Sequence, residues 1–224
     1  MTISVCKKRG VRYYSDPDNG VTEVPSVSSV LNLIPKPRLT KWALKQSIDF
    51  LVKRKNITPE IISKTYGYHT HYLNKLADEG TANHKLMDDY LEGKDVKINK
   101  WLQRFINWKD ENDFKVTDIE KTVIDPKLGF AGTMDLVGTI HGEPIIVDLK
   151  TSSEIRFSHK VQVCAYKVLY GSIHHKVAIL DIPRSANKTS WYILTESEEE
   201  EYTALFFNAL NFFNQLDKVG ELEL

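Results

Sequence analysis

Asp135, Asp148 and Lys150 are the residues of this chain best placed by type and spacing to do chemistry. Two carboxylates can hold a divalent ion, and a lysine beside them can orient a water and offset developing charge. Metal-dependent phosphodiester hydrolysis needs that set. Residues 130–140 (FAGTMDLVGTI) and 144–151 (PIIVDLKT) are rich in β-branched and apolar side chains, with His141-Gly142 between them at a turn position. If those two residues form the loop, Ile140 faces Glu143, and Asp135 falls opposite Asp148. Asp148 and Lys150 then share one face of their strand. Like charges directly opposite on neighbouring strands are destabilising. The run Ile145, Ile146, Val147 and Leu149 implies a buried strand, which raises that cost. A bound cation would resolve the conflict. The alternative is a surface hairpin in which Lys150 pairs with Asp135 or Asp148.

Three other groups of residues could join this hairpin. Gly80-Thr-Ala-Asn-His84 lies in a helical pattern that puts His84 beside the apolar stripe of Leu73, Leu76, Met87 and Leu91. A neutral imidazole there can ligate a manganese-type ion, or can bond a backbone group as a core histidine. Glu120 lies on a strand whose alternate residues Asp118, Glu120 and Thr122 read as one polar face. Glu120 could reach a metal or its water, with Asp118 as its rival. Gln162 and Tyr166 share a helical face at i, i+4 spacing just after the strand bearing Lys150.

The elements that must position these residues follow from periodicity and punctuation. Arg12 to Val24 reads as a hairpin around Asp16-Pro-Asp-Asn-Gly20, and Pro25 opens a helix stopped by Pro35 and Pro37. A helix from Leu39 to about Lys53 would turn Trp42, Leu44 and Ile48 inward. A short helix after Thr58-Pro59, a longer one from His69 to Leu91, and another from Lys100 to about Asp110 complete a mainly helical part. Strands are expected at 114–124, 128–140, 144–151, 175–182 and 190–194, with a helix at 157–169. Ser197-Glu-Glu-Glu200 reads as a capping box opening a last helix, whose buried face is Leu205, Phe206, Ala209, Phe213 and Leu216. The expected organisation is one compact domain, mainly helical over 1–112 with a mixed core over 113–224.

The 224 residues are enough for one well-packed domain. No run of about 18 apolar residues implies a membrane span. Two cysteines, Cys6 and Cys164, point to a reducing compartment, and they exclude an iron–sulfur cluster held by four cysteines of this chain. The N-terminal stretch has no signal-peptide core, so the expectation is the cytoplasm (a host cytoplasm, if the source is viral) rather than the mitochondrion. Net charge is zero but unevenly spread. Residues 1–60 hold eleven Lys/Arg against five Asp/Glu, and residues 195–224 hold one Lys against eight acids. The basic third, with Arg12, Lys36, Arg38, Lys41 and Trp42, could grip single-stranded DNA by charge and stacking. Trp42 equally suits a core position.

The motifs occur in a particular order: GTxxH, an acidic strand, GTxD, DxK, then QxxxY. In that order, over roughly residues 25–170 and including Pro25-Ser-Val-Ser-Ser-Val-Leu31 and Leu39-Thr-Lys-Trp42, the chain resembles the RecB-type branch of the PD-(D/E)XK nuclease superfamily. It is similar in particular to mitochondrial genome maintenance exonucleases and related phage exonucleases. The resemblance implies a restriction-endonuclease-like α/β fold, a mixed central sheet flanked by helices. It implies Mg²⁺ or Mn²⁺ held by Asp135, Asp148, the backbone carbonyl of Leu149, His84 and Glu120. It also implies that Lys150 acts on the attacking water and that Gln162 and Tyr166 contact DNA and support the site. Some relatives staple this domain with four cysteines; this chain departs from them. The expected activity is exonucleolytic, on free DNA ends and preferring single strands. Alternatives are an endonuclease or nickase on the same fold, or a non-catalytic DNA-binding module. DNA is the expected partner, with no membrane association.

Overall fold

The computed structural model describes residues 3–152, 154–184 and 188–222. Two compact units are present: Met1–Ile34 with Leu86–Leu224, and Pro35–Lys85. The N-terminal hairpin and the last expected helix before the strands both belong with the sheet.

A five-stranded sheet forms the centre of the larger unit. Its strands are β4 (Phe114–Asp125), β5 (Phe130–Ile140), β6 (Glu143–Lys150), β7 (Lys176–Asp181) and β8 (Ser190–Ile193), in that spatial order. All neighbours are antiparallel except β6 and β7, which run parallel through the crossover helix α5 (Phe157–Tyr170). The sheet is mixed and helix-flanked, as the restriction-endonuclease-like class requires. One face packs on α1 (Val27–Leu31), α5 and α6 (Glu196–Val219), through Val137, Ile146, Val177 and Ile179. The other face packs Leu136, Ile145, Val147, Leu149 and Leu180 on α4 (Lys100–Glu111) and Met87. Both faces of β6 are thus covered, which explains its nearly continuous apolar run.

A smaller sheet, β1 (Ser4–Lys8), β2 (Val11–Asp16) and β3 (Val21–Pro25), precedes it. Its first strand was not expected from the sequence, because alternation there is obscured by Lys7-Lys8-Arg9. The PSVSSVL segment ties this sheet to α1. Ser26 caps the helix by accepting from the Ser29 N–H at 3.0 Å, and Ser29 Oγ accepts from the Arg12 N–H at 2.8 Å. The helix is shorter than the prolines alone imply, ending at Leu31 before either proline is reached.

The smaller unit holds α2 (Pro37–Val52) and most of α3, which runs unbroken over Pro59–Leu91. The sequence reading split α3 in two; Gly67 sits inside it, since an interior glycine costs only about 1 kcal/mol and no proline intervenes. Leu44 and Ile48 are exposed rather than inward. Trp42 is half-buried with its ring 5.6 Å from that of Tyr72. In α6 the cap lies two residues earlier than expected: Thr195 and Glu198 form the reciprocal box, not Ser197 and Glu200. Phe206 and Phe213 are buried as expected, joined by Leu210, and Leu205 lies largely outside the core. Glu198 also pairs with Lys160 of α5 at 2.9 Å, so the acidic run joins two helices besides starting one. Among the described residues no helix is long and apolar enough to cross a membrane.

A bulge in β4 between Val116 and Asp118 brings backbone against Gly138 of β5. A Cβ there would lie 2.2 Å from the carbonyl oxygen of Lys115. Backbone cannot rotate away as a side chain can. Gly138→Ala is therefore expected to cost about 2 kcal/mol or more in urea unfolding. Gly142→Ala, which meets nothing within 4 Å but has φ +85°, should cost about 1 kcal/mol. Equal costs for the two would contradict the close approach.

Candidate active site

His141 and Gly142 form the whole loop between β5 and β6, both with positive φ (50° and 85°), as a type I′ turn requires. Ile140 pairs with Glu143, and the ladder continues to Leu136 opposite Val147. One step further, Asp135 and Asp148 come level. The ladder stops there for a chemical reason. The Leu149 N–H donates to Asp135 Oδ2 at 2.7 Å, so a side-chain carboxylate replaces the next backbone acceptor. The faces also change at this residue. Gly132 and Met134 meet the core on the α5 side, whereas Leu136 joins the opposite core.

Asp148 is only 1 % exposed. Lys150 Nζ donates to its Oδ1 at 2.9 Å and lies 2.8 Å from Oδ2. Burial pulls the Lys150 pKa down, but Asp148 and then Asp135 outweigh it, and the net shift is upward. Lys150 is thus held as a cation. Removing one member of such a buried pair leaves an uncompensated charge.

Glu120 sits between the pairs Ile119–Leu136 and Lys121–Met134, with φ +47°. That conformation is strained for a residue with a side chain, and such strain gathers at functional sites. It breaks the simple alternation expected for 118, 120 and 122. Glu120 and Asp135 offer carboxylate oxygens within 4.8 Å of each other. Partial burial, then Asp135 and Asp88, push the Glu120 pKa up to about 7. The rival, Asp118, is engaged by Lys121 at 2.9 Å. His84 lies in the smaller unit, half-buried near the end of α3 and one turn before Asp88 on the same helical face.

Gln162 and Tyr166 are bonded to each other. Gln162 Nε2 donates to Tyr166 Oη at 2.7 Å. Tyr166 is buried, and burial followed by the charges of Asp148 and Asp135 raises its pKa well above the usual phenol value. It therefore stays protonated and able to donate. Its ring lies directly on β5: a Cβ at Gly132 would fall 2.6 Å from Tyr166 Cε1. The glycine of GTxD is thus the seat of the tyrosine of QxxxY. The threonine has a separate task. Thr133 Oγ1 bonds Thr122 at 2.8 Å and Tyr14 at 3.1 Å, joining β4, β5 and the N-terminal sheet. Arg12, Ser28, Thr133 and Tyr166 also line a small pocket of about 40 Å³.

One buried acid escaped the sequence reading. Asp181 ends β7 in register with Lys150 and is 1 % exposed. Ser152 Oγ donates to it at 3.3 Å, and burial pushes its pKa up to about 6. Its only sequence signal is an acid ending an apolar strand, a pattern shared with many surface positions.

The model of a family described as the PD-(D/E)XK nuclease superfamily matches residues 60–216. The chain belongs to the PD-(D/E)XK nuclease superfamily. Its members use divalent metals, and the donors present fit one: hard carboxylate oxygens that repel each other until a cation joins them. A comparison with curated proteins found no match. Among solved structures, the chain is similar to a candidate exonuclease from Eubacterium rectale, at 13% identity and TM-score 0.45, over 64% of this chain and 69% of that one. It is also similar to the alkaline exonuclease LHK-Exo of Laribacter hongkongensis, at 13% identity and TM-score 0.33, over 62% and 84% of the two chains.

Two tests follow from this geometry. Gly132→Ala should destabilise the protein, and Tyr166→Ala should relieve much of that clash. A double-mutant cycle in urea should show a coupling on the order of 1 kcal/mol; strict additivity would show that ring and glycine do not meet. Asp181 titrates at about 3.8 when ordinary and at about 6 when folded. A raised carboxyl pKa favours the folded state at low pH, and the penalty grows as pH rises from about 4 to about 6. Asp181→Asn should therefore stabilise the fold at pH 8 by about 1–3 kcal/mol, with the gain vanishing near pH 4. A pH-independent difference would contradict this.

Proposed function

We propose that the chain is a metal-dependent DNA exonuclease that hydrolyses phosphodiester bonds from free ends and prefers single strands. The observation that carries the hydrolytic reading is the Asp135–Asp148–Lys150 arrangement, in which two acids stand level on neighbouring strands and the lysine is held on the second. The exonucleolytic preference rests on the motif order, which resembles that of the RecB-type branch.

In this reading Asp135, Asp148, Glu120 and the Leu149 carbonyl hold Mg²⁺ or Mn²⁺, with His84 as a nitrogen ligand. His84 is supported by its helical face, shared with Asp88, whose charge acts on Glu120. When bound, such an ion binds the scissile phosphate and makes water a better nucleophile at neutral pH. Lys150 then serves as a fixed cation. Its raised pKa argues against proton abstraction and for stabilising charge on the phosphoryl oxygens. Burial and the neighbouring Asp135 and Asp88 raise the Glu120 pKa, so a cation binding there would release the proton and relieve the repulsion. Tyr166, protonated and oriented by Gln162, can donate a hydrogen bond to a phosphate oxygen. Asp135 also holds the Leu149 amide, which fixes the backbone that presents the carbonyl.

The purified protein should degrade end-labelled linear DNA with Mg²⁺ or Mn²⁺ and stop on addition of EDTA. Asp135→Asn, Asp148→Asn and Lys150→Ala should each lower turnover by about 10³-fold. Thermal melting should show the two Asn variants still folded. Covalently closed single-stranded circles should survive; their cleavage would show an endonuclease instead. Wild-type turnover in any of the three variants would place the chemistry elsewhere.

A further inference from the structure

The zero net charge conceals an opposition between the two compact units. Residues 35–85 hold ten Lys/Arg and four Asp/Glu, whereas the rest of the chain holds twenty against twenty-six. The smaller unit is thus +6 and the larger −6. The sequence reading placed the excess in residues 1–60; it coincides instead with the unit of α2 and α3.

Much of this positive charge is uncompensated. Lys41, Lys45, Lys53, Arg54, Lys55 and Lys75 have no carboxylate partner among the described residues. Lys53, Arg54 and Lys55 are consecutive and exposed, just beyond the end of α2. An aromatic pair adjoins Arg54, and a further ring is exposed elsewhere on α3. The Arg54 guanidinium lies 4.5 Å from the Phe50 ring centroid, and Phe50 lies 4.4 Å from Tyr68. Tyr66 is 89 % exposed, although a tyrosine usually buries part of its ring. Neither apolar packing nor ion pairing within the unit accounts for these groups.

We propose that the α2–α3 unit is a binding surface for single-stranded DNA, with Lys53, Arg54 and Lys55 following the phosphates and Tyr66 stacking on an unpaired base. Charge complementarity selects a polyanion. The exposed ring selects a single strand, because bases in a duplex have no free π-face to offer. Cations that track a backbone beside aromatic platforms are the general means of holding single strands without reading their sequence. The surface builds on the nuclease reading, since it supplies the attraction that a net-negative catalytic unit lacks.

The test uses the full chain silenced by Asp148→Asn, and a labelled oligo-dT of about 30 nucleotides. Lys53→Gln/Arg54→Gln/Lys55→Gln in that background should weaken binding. The slope of log affinity against log salt should fall by about 2, near 0.7 for each lost phosphate contact on a single strand. Tyr66→Ala should weaken binding about 5- to 100-fold, leave the slope unchanged, and have no effect on an abasic strand. In the active enzyme the triple variant should raise KM for DNA, yet hydrolyse bis(p-nitrophenyl) phosphate at the wild-type rate. An unchanged slope in the triple variant, equal binding of a blunt duplex, or tighter binding of oligo-rU would each overturn the proposal. Failure of the wild type to degrade labelled DNA with Mg²⁺ or Mn²⁺ would overturn the nuclease reading instead, and the binding arms would still judge this surface.

Discussion

Mutual repulsion among closely placed acids, one of them buried, is the constraint around which the larger unit is built. Asp148 is buried on a strand covered on both faces, Asp135 stands level with it, and Glu120 comes within 4.8 Å of Asp135. Three such groups would not remain ionised together without compensation. The protein supplies two kinds. Lys150 donates to Asp148, and the Leu149 amide donates to Asp135. Glu120 receives less, and its pKa rises to about 7 as a result. The residues of the site thus offset only part of one another's charge, and a cation would relieve the rest.

That demand shapes local structure. Asp135 can take a backbone amide only if the β5–β6 ladder stops one residue early, so the hairpin must place the break correctly. A two-residue loop with both φ positive fixes the register. One residue more or less would carry one acid to the other face. Glu120 lies level with Asp135 in the β4–β5 register and holds a positive φ in the middle of β4, a conformation maintained by the pairs on either side. Gly132 allows the Tyr166 ring to press on β5 three residues before Asp135, which brings the phenol under the field of both acids. The spacing within GTxD thus has a steric reason for its glycine and a bonding reason for its threonine.

These relations explain which features were legible in the sequence. The hairpin register was legible, because a two-residue turn and strict alternation leave few choices. The sheet strands and the helix bearing Gln162 and Tyr166 were legible because periodicity and Gly punctuation agreed. Alternation grouped Glu120 with Asp118 and Thr122, whereas the bulge and the positive φ set it apart from both. Asp181 was missed because a buried acid at a strand end carries no pattern. The inward-facing assignment of Leu44 and Ile48 failed because helical periodicity shows which residues share a stripe, and not whether anything covers it. The grouping of the first 34 residues with the sheet was not legible for a related reason. Contacts between residues far apart in sequence join the first 34 residues to the sheet, through pairs such as Tyr14 with Thr133.

The same acids that demand a cation would repel a polyanionic substrate. A unit carrying −6 that concentrates three carboxylates at its working centre raises the potential energy of any approaching phosphate. Metal binding removes part of that barrier locally, but over distances beyond roughly 8 Å, where salt screens at physiological strength, it does little for encounter. Attraction at range has to come from elsewhere on the chain, and the +6 of residues 35–85 is the only large excess of positive charge available in the sequence. Separating the two roles has a physical advantage. Cations placed among the acids would pair with them and weaken the metal site, as Lys150 already does in part for Asp148. Cations held on a different compact unit leave the carboxylates free to respond to a metal while still raising the local concentration of DNA.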